Sequence, residues 1–240
     1  STDGRTMTAS PTAAFPFGQI VRWQINTLAA DLAGNRLLTL EQSGFQVRRS
    51  FSTSVTPIAH GGTDPGVPTG MWVGDNSTNL TYMGFLVYTL PAGLEVLTGT
   101  FTATQSTPAG SPFSDNSTAV NISVEGIAYS APLDSTEVTA PPFCVASPLQ
   151  CAVGLCNYSI PFSTNSSVVT NSISGTNFVR LLNAGLAQTG RTFALRLRRR
   201  YPSPSCGVFG SDNDNVGDYV RVFGPTDTMP PTLSITYTAP

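Results

Sequence analysis

The sequence contains no lysine, one histidine and only four glutamates among its 240 residues. Charged side chains make up 11% of the chain, against roughly 25% in typical soluble domains. The positive charge comes entirely from arginine, and the formal net charge is −2. A surface of this kind stays soluble through hydroxyl and amide groups, as on a glycan-coated or matrix-embedded protein. A GC-rich genome, which favours arginine codons, is the alternative explanation for the missing lysine.

The small number of basic residues and the absence of long apolar runs exclude two classes of partner. It has no basic arm, and its one basic run is too short for a nucleic-acid footprint, so we expect no nucleic-acid binding. That run lies at the end of a predicted strand and comprises Arg196, Arg198, Arg199 and Arg200. No stretch approaches the ~18–20 apolar residues of a membrane helix, so we expect no membrane span.

Six Asn-x-Ser/Thr triplets are present, none with proline in the middle. Each is an N-glycan acceptor if the chain passes through a secretory system. Their number is a modest excess over the roughly three expected by chance. With the missing lysine, they predict a secreted glycoprotein that is extracellular or at the cell surface. The triplets start at Asn76, Asn79, Asn116, Asn121, Asn157 and Asn165.

The four cysteines are Cys144, Cys151, Cys156 and Cys206. In an exported chain they predict two disulfide bonds, for which three pairings exist. A four-thiolate zinc site is the alternative, although the spacings lack the usual short CxxC knuckles.

Apolar side chains alternate with polar ones in many short segments, which is typical of antiparallel strands with one wet face. Val120–Tyr129, for example, predicts a strand with Ser123 and Glu125 pointing outward. Only 177–190 has clear helical spacing, and 28–37 is a weaker helical candidate. These patterns predict an all-β fold, an antiparallel β-sandwich or jelly roll with one short helix. The other predicted strands are 20–27, 37–40, 45–51, 71–74, 82–88, 96–104, 193–198, 219–223 and 233–238.

The organisation along the chain predicts one main domain. Residues 1–18 are polar and contain proline, as expected of a tail or of an arm that adds to a neighbour's sheet. Residues 19–240 are expected to form a single β-sandwich domain, with a cysteine-containing loop insert at 131–176.

The densest group of oxygen ligands is the segment Ser211–Asp218, with Asp212, Asp214 and Asp218. Hard Ca²⁺ prefers several such oxygens from a flexible turn, so the segment predicts a structural calcium site. It lacks the glutamate that closes an EF-hand loop, and an ordinary Asx-rich turn is the alternative.

Catalysis finds little support in the residues. A Ser-His-Asp triad would have to use His60 in a glycine-rich loop, and no pair of carboxylates stands out for glycoside hydrolysis. We therefore expect no enzyme activity.

Sugar binding is better supported, because aromatic faces flanked by amides and arginines suit sugar rings. Trp72, Tyr82 and Arg48 are the candidate carbohydrate-binding residues.

Two segments resemble a known family. The run MWVGDNSTNLTYMGFLVYTLPAGLEVLTGTFTAT is similar to the opening of the DNRLRE-type surface domains and of the related alginate-binding carbohydrate modules. The run TNFVRLLNAGLAQTGRTFALRLRRR, followed by YVRVFGPTDTMPPTLSITY, is similar to their later half. The matches cover roughly half of the chain. The DNRLRE signature itself is not present before the final strand, and SDNDNVGDY occupies that region. The resemblance implies a jelly roll on an exported protein and an extracellular polysaccharide as ligand.

Two functions follow from these expectations. The first is a non-catalytic subunit of an extracellular coat, fibre, filament or matrix, whose partners are copies of itself in a homo-oligomer or polymer. The alternative is a carbohydrate-binding module that recognises an extracellular polysaccharide.

Overall fold

A computed structural model describes the residues 10–31, 33–63, 71–93, 95–115, 118–119, 121–143, 158–160, 168–200 and 215–239. The four cysteines, Asp212 and Asp214 lie outside the described residues, so the disulfide prediction and most of the calcium prediction remain predictions.

The described residues form mostly short antiparallel strands, with two helices and one 3₁₀ turn. The first nine strands are β1 Ile20–Ile25, β2 Glu41–Gln46, β3 Arg49–Val55, β4 Ala59–Gly62, β5 Met71–Asp75, β6 Thr81–Thr89, β7 Glu95–Gln105, β8 Ser114–Asp115 and β9 Thr118–Ala119. The other elements are β10 Asn121–Ala128, α1 Ser135–Thr139, β11 Tyr158–Ile160, β12 Val169–Ser174, α2 Thr176–Leu186, the 3₁₀ turn Thr189–Arg191, β13 Thr192–Arg200, β14 Asp218–Val222 and β15 Thr232–Ala239.

The chain divides into two compact units, Ser1–Phe51 with Thr238–Pro240, and Ser52–Tyr237. We call the second unit the body. One layer of the body runs in the order β11-β10-β13-β6-β4. The other contains β5, β14 and β7, with β12 and β15 also paired to β7 and β3 next to β15. Strand β6 joins the layers, because Thr81 and Tyr82 pair with β5 while the rest of the strand pairs with β13.

The main core lies where the apolar faces of these strands meet α2. It includes Met71 and Val73 of β5, Phe101 of β7, and Phe193 and Leu195 of β13, all essentially inaccessible to solvent. The two-residue period of the sequence places such side chains on one face, and burying a large apolar side chain contributes about 1.5–3 kcal/mol.

Helix α2 packs where two facing strands carry glycine. A Cβ at Gly99 would collide with the Leu182 side chain, and one at Gly126 would lie 2.8 Å from the Leu181 Cγ. The helix therefore approaches the sheet closely enough for Phe178, Leu181 and Leu182 to be buried. Asn183 adds two hydrogen bonds to the backbone of Val96, one donated by Asn183 Nδ2 and one accepted by Asn183 Oδ1.

The segment 129–143 covers the opposite face of the β10-β13-β6 layer, where a second apolar cluster includes Phe85, Val87 and Ile127. Helix α1 belongs to this segment and begins with a capping box, in which Asp134 Oδ1 accepts from the Thr136 N–H and Glu137 Oε2 accepts from the Asp134 N–H. The hydrogen bond from the Thr136 backbone lowers the pKa of Asp134.

The first unit contains a two-stranded sheet of β1 and β2, which we call the ribbon, and we call the whole first unit the ribbon unit. Its register pairs Ile20 with Gln46 and Ile25 with Glu41. Every side chain of β2 is exposed, and β1 has only two half-buried positions, Val21 and Ile25.

The structure confirms the prediction of an all-β antiparallel sandwich with a short helix. The predicted helix 177–190 corresponds to α2, which ends at Leu186, and α1 is a second helix that the spacing did not indicate. The weaker candidate 28–37 is not helical in its described residues, because Ala30 and Arg36 instead form an isolated β-bridge. None of the helices among the described residues has the length and apolar character that crossing a bilayer requires.

Candidate functional site

Three aromatic side chains meet on the surface of the body because three strands pair in a fixed register. Strand β14 lies beside β5, opposing Tyr219 to Gly74 and Arg221 to Trp72. Strand β6 lies on the other side of β5 and opposes Tyr82 to Gly74. Residues that are distant in the sequence are thereby brought to one place.

The rings of this group are nearly perpendicular to one another. Tyr219 is 5.1 Å from Trp72 at 85°, and 6.0 Å from Tyr82 at 79°, measured between ring centroids. Edge-to-face pairs of this kind contribute about 0.5–1.5 kcal/mol each beyond the area that they bury. Tyr219 thus contacts both of the other rings.

The rings border a cavity of about 340 Å³, which we call the aromatic cavity. Its lining contains three rings, one amide, one hydroxyl-bearing serine and two small residues, and none of these carries a charge. The lining residues are Trp72, Asn76, Ser77, Tyr82, Ala109, Gly217 and Tyr219.

The β5–β6 turn that bounds the cavity is held together by Asn76. Its Oδ1 accepts hydrogen bonds from the Thr78 N–H at 2.9 Å, the Thr78 hydroxyl at 2.7 Å and the Leu80 N–H at 3.0 Å. Its Nδ2 donates to the Tyr82 hydroxyl oxygen at 3.1 Å. The same side chain therefore shapes the turn and orients Tyr82.

A buried ion pair lies at the end of the strands that carry the aromatic group. Arg199 donates to Asp75 at 3.0 Å, and its other terminal nitrogen is 3.7 Å from Asp218. All three side chains are almost completely buried. A Cβ at Gly74, whose φ is 135°, would collide with the Asp218 backbone, so the contact between β5 and β14 needs glycine there.

A second buried charge network lies beneath the segment 129–143. Glu125 accepts from Arg196 at 2.6 and 2.8 Å and from Arg198 at 2.7 Å. Arg196 also donates to the carbonyls of Glu137 and Val138, which α1 leaves without helical partners. The prediction that Ser123 and Glu125 point to solvent is wrong, because both are completely buried, and Glu125 belongs to this charge network.

The structure brings together two of the three candidate sugar-binding residues. Trp72 and Tyr82 border the aromatic cavity, whereas Arg48 is an exposed residue of the other unit. Tyr219 is the member that the sequence reasoning missed. Its place in the predicted strand 219–223 identified its backbone, but only the pairing of β14 with β5 places its ring beside Trp72.

Two of the six predicted glycan acceptors have described side chains, and both are half-buried. Asn76 is committed to the β5–β6 turn. Asn79 has a left-handed φ of 61° and donates to Asn215 Oδ1 at 3.0 Å, and the Asn215 N–H donates back to Asn79 Oδ1 at 3.2 Å. The side chain of Asn121, and the whole of Asn116, Asn157 and Asn165, lie outside the described residues.

Asp218 is the one residue of the predicted calcium site that the structure describes. Its Oδ1 accepts from the Ser111 N–H at 2.5 Å, and its Oδ2 faces Arg199. This carboxylate therefore faces a guanidinium group that also binds Asp75. Within the described ranges, no group of three or more acidic, histidine or cysteine side chains is arranged to hold a metal ion.

The single histidine, His60, lies on β4 and borders a cavity of about 490 Å³ together with Asp134 and Ser135. Its Nε2 is buried and has no hydrogen-bond partner among the described residues. The Asp134 carboxylate in turn accepts from the α1 backbone. The residue types of a triad thus share a cavity without forming its hydrogen-bonded chain.

The ribbon unit exposes an unusual number of large apolar side chains. Leu38 is 96% exposed, Leu28 70% and Phe17 57%. Trp23 and Phe45, both at about half exposure, lie on the two strands themselves, and Phe15 contacts Phe45 edge to face at 6.2 Å. Exposed apolar groups that cluster in this way mark interaction surfaces.

Fold and surface together place the protein in the class of antiparallel β-sandwiches, with a two-stranded ribbon in a separate unit. No protein-family model matches the chain, and no curated protein matches it at a significant level.

Proposed function

We propose that this protein is a non-catalytic structural subunit of an extracellular assembly, and that the ribbon joins one copy to the body of the next. The observation that carries the proposal is the exposure of the ribbon. A two-stranded sheet is marginally stable by itself in water, and three or more strands or a packed neighbour are needed to hold it. The ribbon therefore needs a surface that covers Trp23, Phe45 and the neighbouring apolar side chains.

The ribbon also has free strand edges. Within the described residues, β1 pairs only with β2, so the outer edge of each strand has no strand beside it. Unpaired backbone groups along an edge are a template for a strand of another chain. One partner can therefore both pair with a free edge of the ribbon and cover its exposed apolar side chains.

Charge favours a second copy of this chain as that partner. The ribbon unit has five arginines and three acidic residues, a net charge of +2, while the body has seven arginines and eleven acidic residues, a net charge of −4. Opposite net charges on the two units attract between copies, whereas like units repel. A head-to-tail contact of this kind closes into a ring or continues as a filament.

The self-association is tested by analytical ultracentrifugation of the full chain over a wide concentration range. We expect the unmodified protein to form oligomers, and a Trp23→Ser/Phe45→Ser variant to sediment as a monomer. The matched control is Leu97→Ser/Val168→Ser, which removes two similarly exposed apolar side chains from the body and should leave the oligomers intact. An unmodified chain that stays monomeric at high concentration, or a ribbon variant that associates normally, contradicts the proposal.

The extracellular location has support from the missing lysine and the six acceptor triplets, and it has a separate test. Intact-mass analysis of protein purified from its source should give masses above the 25.2 kDa of the bare chain by multiples of sugar residues. A single mass equal to the bare chain removes this part of the proposal. It leaves the assembly through the ribbon to be judged by sedimentation.

A further inference from the structure

The aromatic cavity has the chemistry of a sugar site. A pyranose ring has an apolar face of C–H groups and a rim of hydroxyl groups, so it suits a wall of aromatic rings beside a few polar atoms. Trp72, Tyr82 and Tyr219 supply the rings. Because neighbouring rings are nearly perpendicular, they form a corner and not a flat platform, and such a corner encloses one sugar ring.

Polar groups at this corner are already oriented. The Tyr82 hydroxyl oxygen accepts from Asn76 Nδ2, which leaves its hydrogen free to point to a ligand oxygen. Ser77 adds a hydroxyl on the exposed turn. Binding therefore needs little reorganisation of the turn, and preorganised groups lose less entropy when a ligand arrives.

The charge around the cavity decides the class of sugar. The seven lining residues are uncharged, and the nearby carboxylates of Asp75 and Asp218 are both held by Arg199. Among the described residues that line the cavity, an acidic sugar would find no cation to pair with its carboxylate, and burying an unpaired charge is costly. A neutral sugar meets no such cost.

A proline-rich peptide is the other ligand that aromatic walls suit. Such peptides bind as extended helices along grooves with several successive aromatic slots. The aromatic cavity has a volume of about 340 Å³ and one corner of three rings, which accommodates a single ring unit. Its size favours the sugar.

We infer that the aromatic cavity binds one neutral pyranose residue of a glycan, with Tyr219 as the central stacking residue and Trp72 and Tyr82 beside it. This site is independent of the ribbon and adds a ligand-binding function to the body.

The experiment uses the fluorescence of Trp72. The chain has two tryptophans, and Trp23→Phe in the ribbon unit leaves Trp72 as the only indole. This protein is titrated with neutral oligosaccharides of glucose, mannose and galactose, with acidic oligosaccharides of uronic acids, and with an oligoproline peptide. We expect a saturable change in Trp72 emission with at least one neutral sugar and none with the other two classes.

Variants separate binding from folding. Tyr219→Ala should weaken the affinity by about tenfold or more, whereas Tyr219→Phe, which keeps the ring, should change it less than about threefold. Tyr82→Ala is a second test if Tyr219→Ala does not fold, as judged by its unfolding curve. The matched control is Arg48→Ala in the other unit, for which we expect the unmodified affinity.

Three results overturn the inference. One is the absence of saturable binding to every neutral sugar by the folded protein. Another is tighter binding of the acidic sugars or of oligoproline. The third is binding that survives both Tyr219→Ala and Tyr82→Ala in folded protein.

Discussion

Several of the few charged side chains of this protein lie in its interior. Glu125, Arg196 and Arg199 are each at most 1% exposed, and their partners are carboxylates, guanidinium groups or backbone carbonyls. Taking one charge into the protein interior costs several kcal/mol, and only a well-placed partner offsets that cost. Arg196 and Arg199 thus serve the fold, while hydroxyl and amide groups provide much of the polar surface.

We predict that Glu125→Gln destabilises the body by about 3–5 kcal/mol, because it leaves Arg196 buried without its counter-charge. Urea unfolding followed by tryptophan fluorescence measures the change. The matched control is Glu95→Gln, which alters an exposed acid at the start of β7 and should change stability by less than about 1 kcal/mol. Equal effects of the two substitutions would show that the buried network contributes nothing specific.

Tyr88 gives a prediction about alkaline pH. Its ring is buried in the main core, and its hydroxyl has no hydrogen-bond partner among the described residues. Burial raises the pKa of the Tyr88 phenol far above its usual value. The unfolded chain releases this proton near pH 10, whereas the folded protein keeps it to higher pH, so stability falls as pH rises above about 10.

Tyr88→Phe removes both this proton and the buried hydroxyl. We therefore expect the variant to be as stable as the unmodified protein at pH 7, or more stable by up to about 1 kcal/mol, and to lose less stability between pH 9 and 11. Thermal unfolding at a series of pH values measures this. A variant with the same alkaline loss as the unmodified protein would mean that Tyr88 does not hold its proton on folding.

At the scale of secondary-structure elements, the position of α2 depends on two glycines, without side chains, in the facing strands. Gly99 and Gly126 leave room for the helix, and larger residues at either position would separate it from the core. The strand sequences fit this arrangement, because each glycine falls on the inward face of its strand.

We predict that Gly126→Ala destabilises the body by about 1–3 kcal/mol, since the new methyl group would lie within 3 Å of Leu181 and Phe143. Gly61→Ala is the matched control on β4, where the added Cβ has only an ordinary contact with Leu133 at 3.5 Å. For it we expect no loss, because alanine also restricts the unfolded chain. Chemical unfolding of the two variants in parallel tests the difference, and a stable Gly126→Ala protein would show that α2 can shift freely.

At the scale of the whole molecule, the uneven charge of the two units gives the proposed assembly a dependence on salt. Attraction between a unit of +2 and one of −4 is screened when the Debye length shortens from about 10 Å at 0.1 M salt to about 3 Å at 1 M. We predict that the dissociation constant for self-association rises several-fold between 0.05 and 0.5 M NaCl, as measured by sedimentation.

Arg22→Gln/Arg36→Gln is the matching variant, because both arginines are exposed and their removal brings the ribbon unit to zero net charge. It should associate more weakly at low salt and show little further dependence on salt. Association that strengthens with salt in both proteins would assign the contact to apolar surface alone.

Prediction from the sequence succeeded where one strand or helix carries its own pattern. A regular apolar face is buried by each of the elements β6, β7, β13, β15 and α2. The spacing of their apolar residues can therefore be recognised from the sequence without knowing their neighbours. It failed for β2 and β4, whose sequences EQSGFQ and AHGG lack an alternating apolar pattern. It also failed for Glu125, because the segment that covers this residue follows it in the chain and has no pattern that indicates where it packs.

By itself, the sequence determined the all-β class and the position of most core strands, because both follow from side chains that are close together along the chain. Only the tertiary structure decided that Glu125 is buried against Arg196 and that Tyr219 stands beside Trp72. Those pairs depend on the register of strands that are far apart in the chain. The burial of whole apolar strand faces and the geometry of the turns set that register, and no single residue type indicates it in advance.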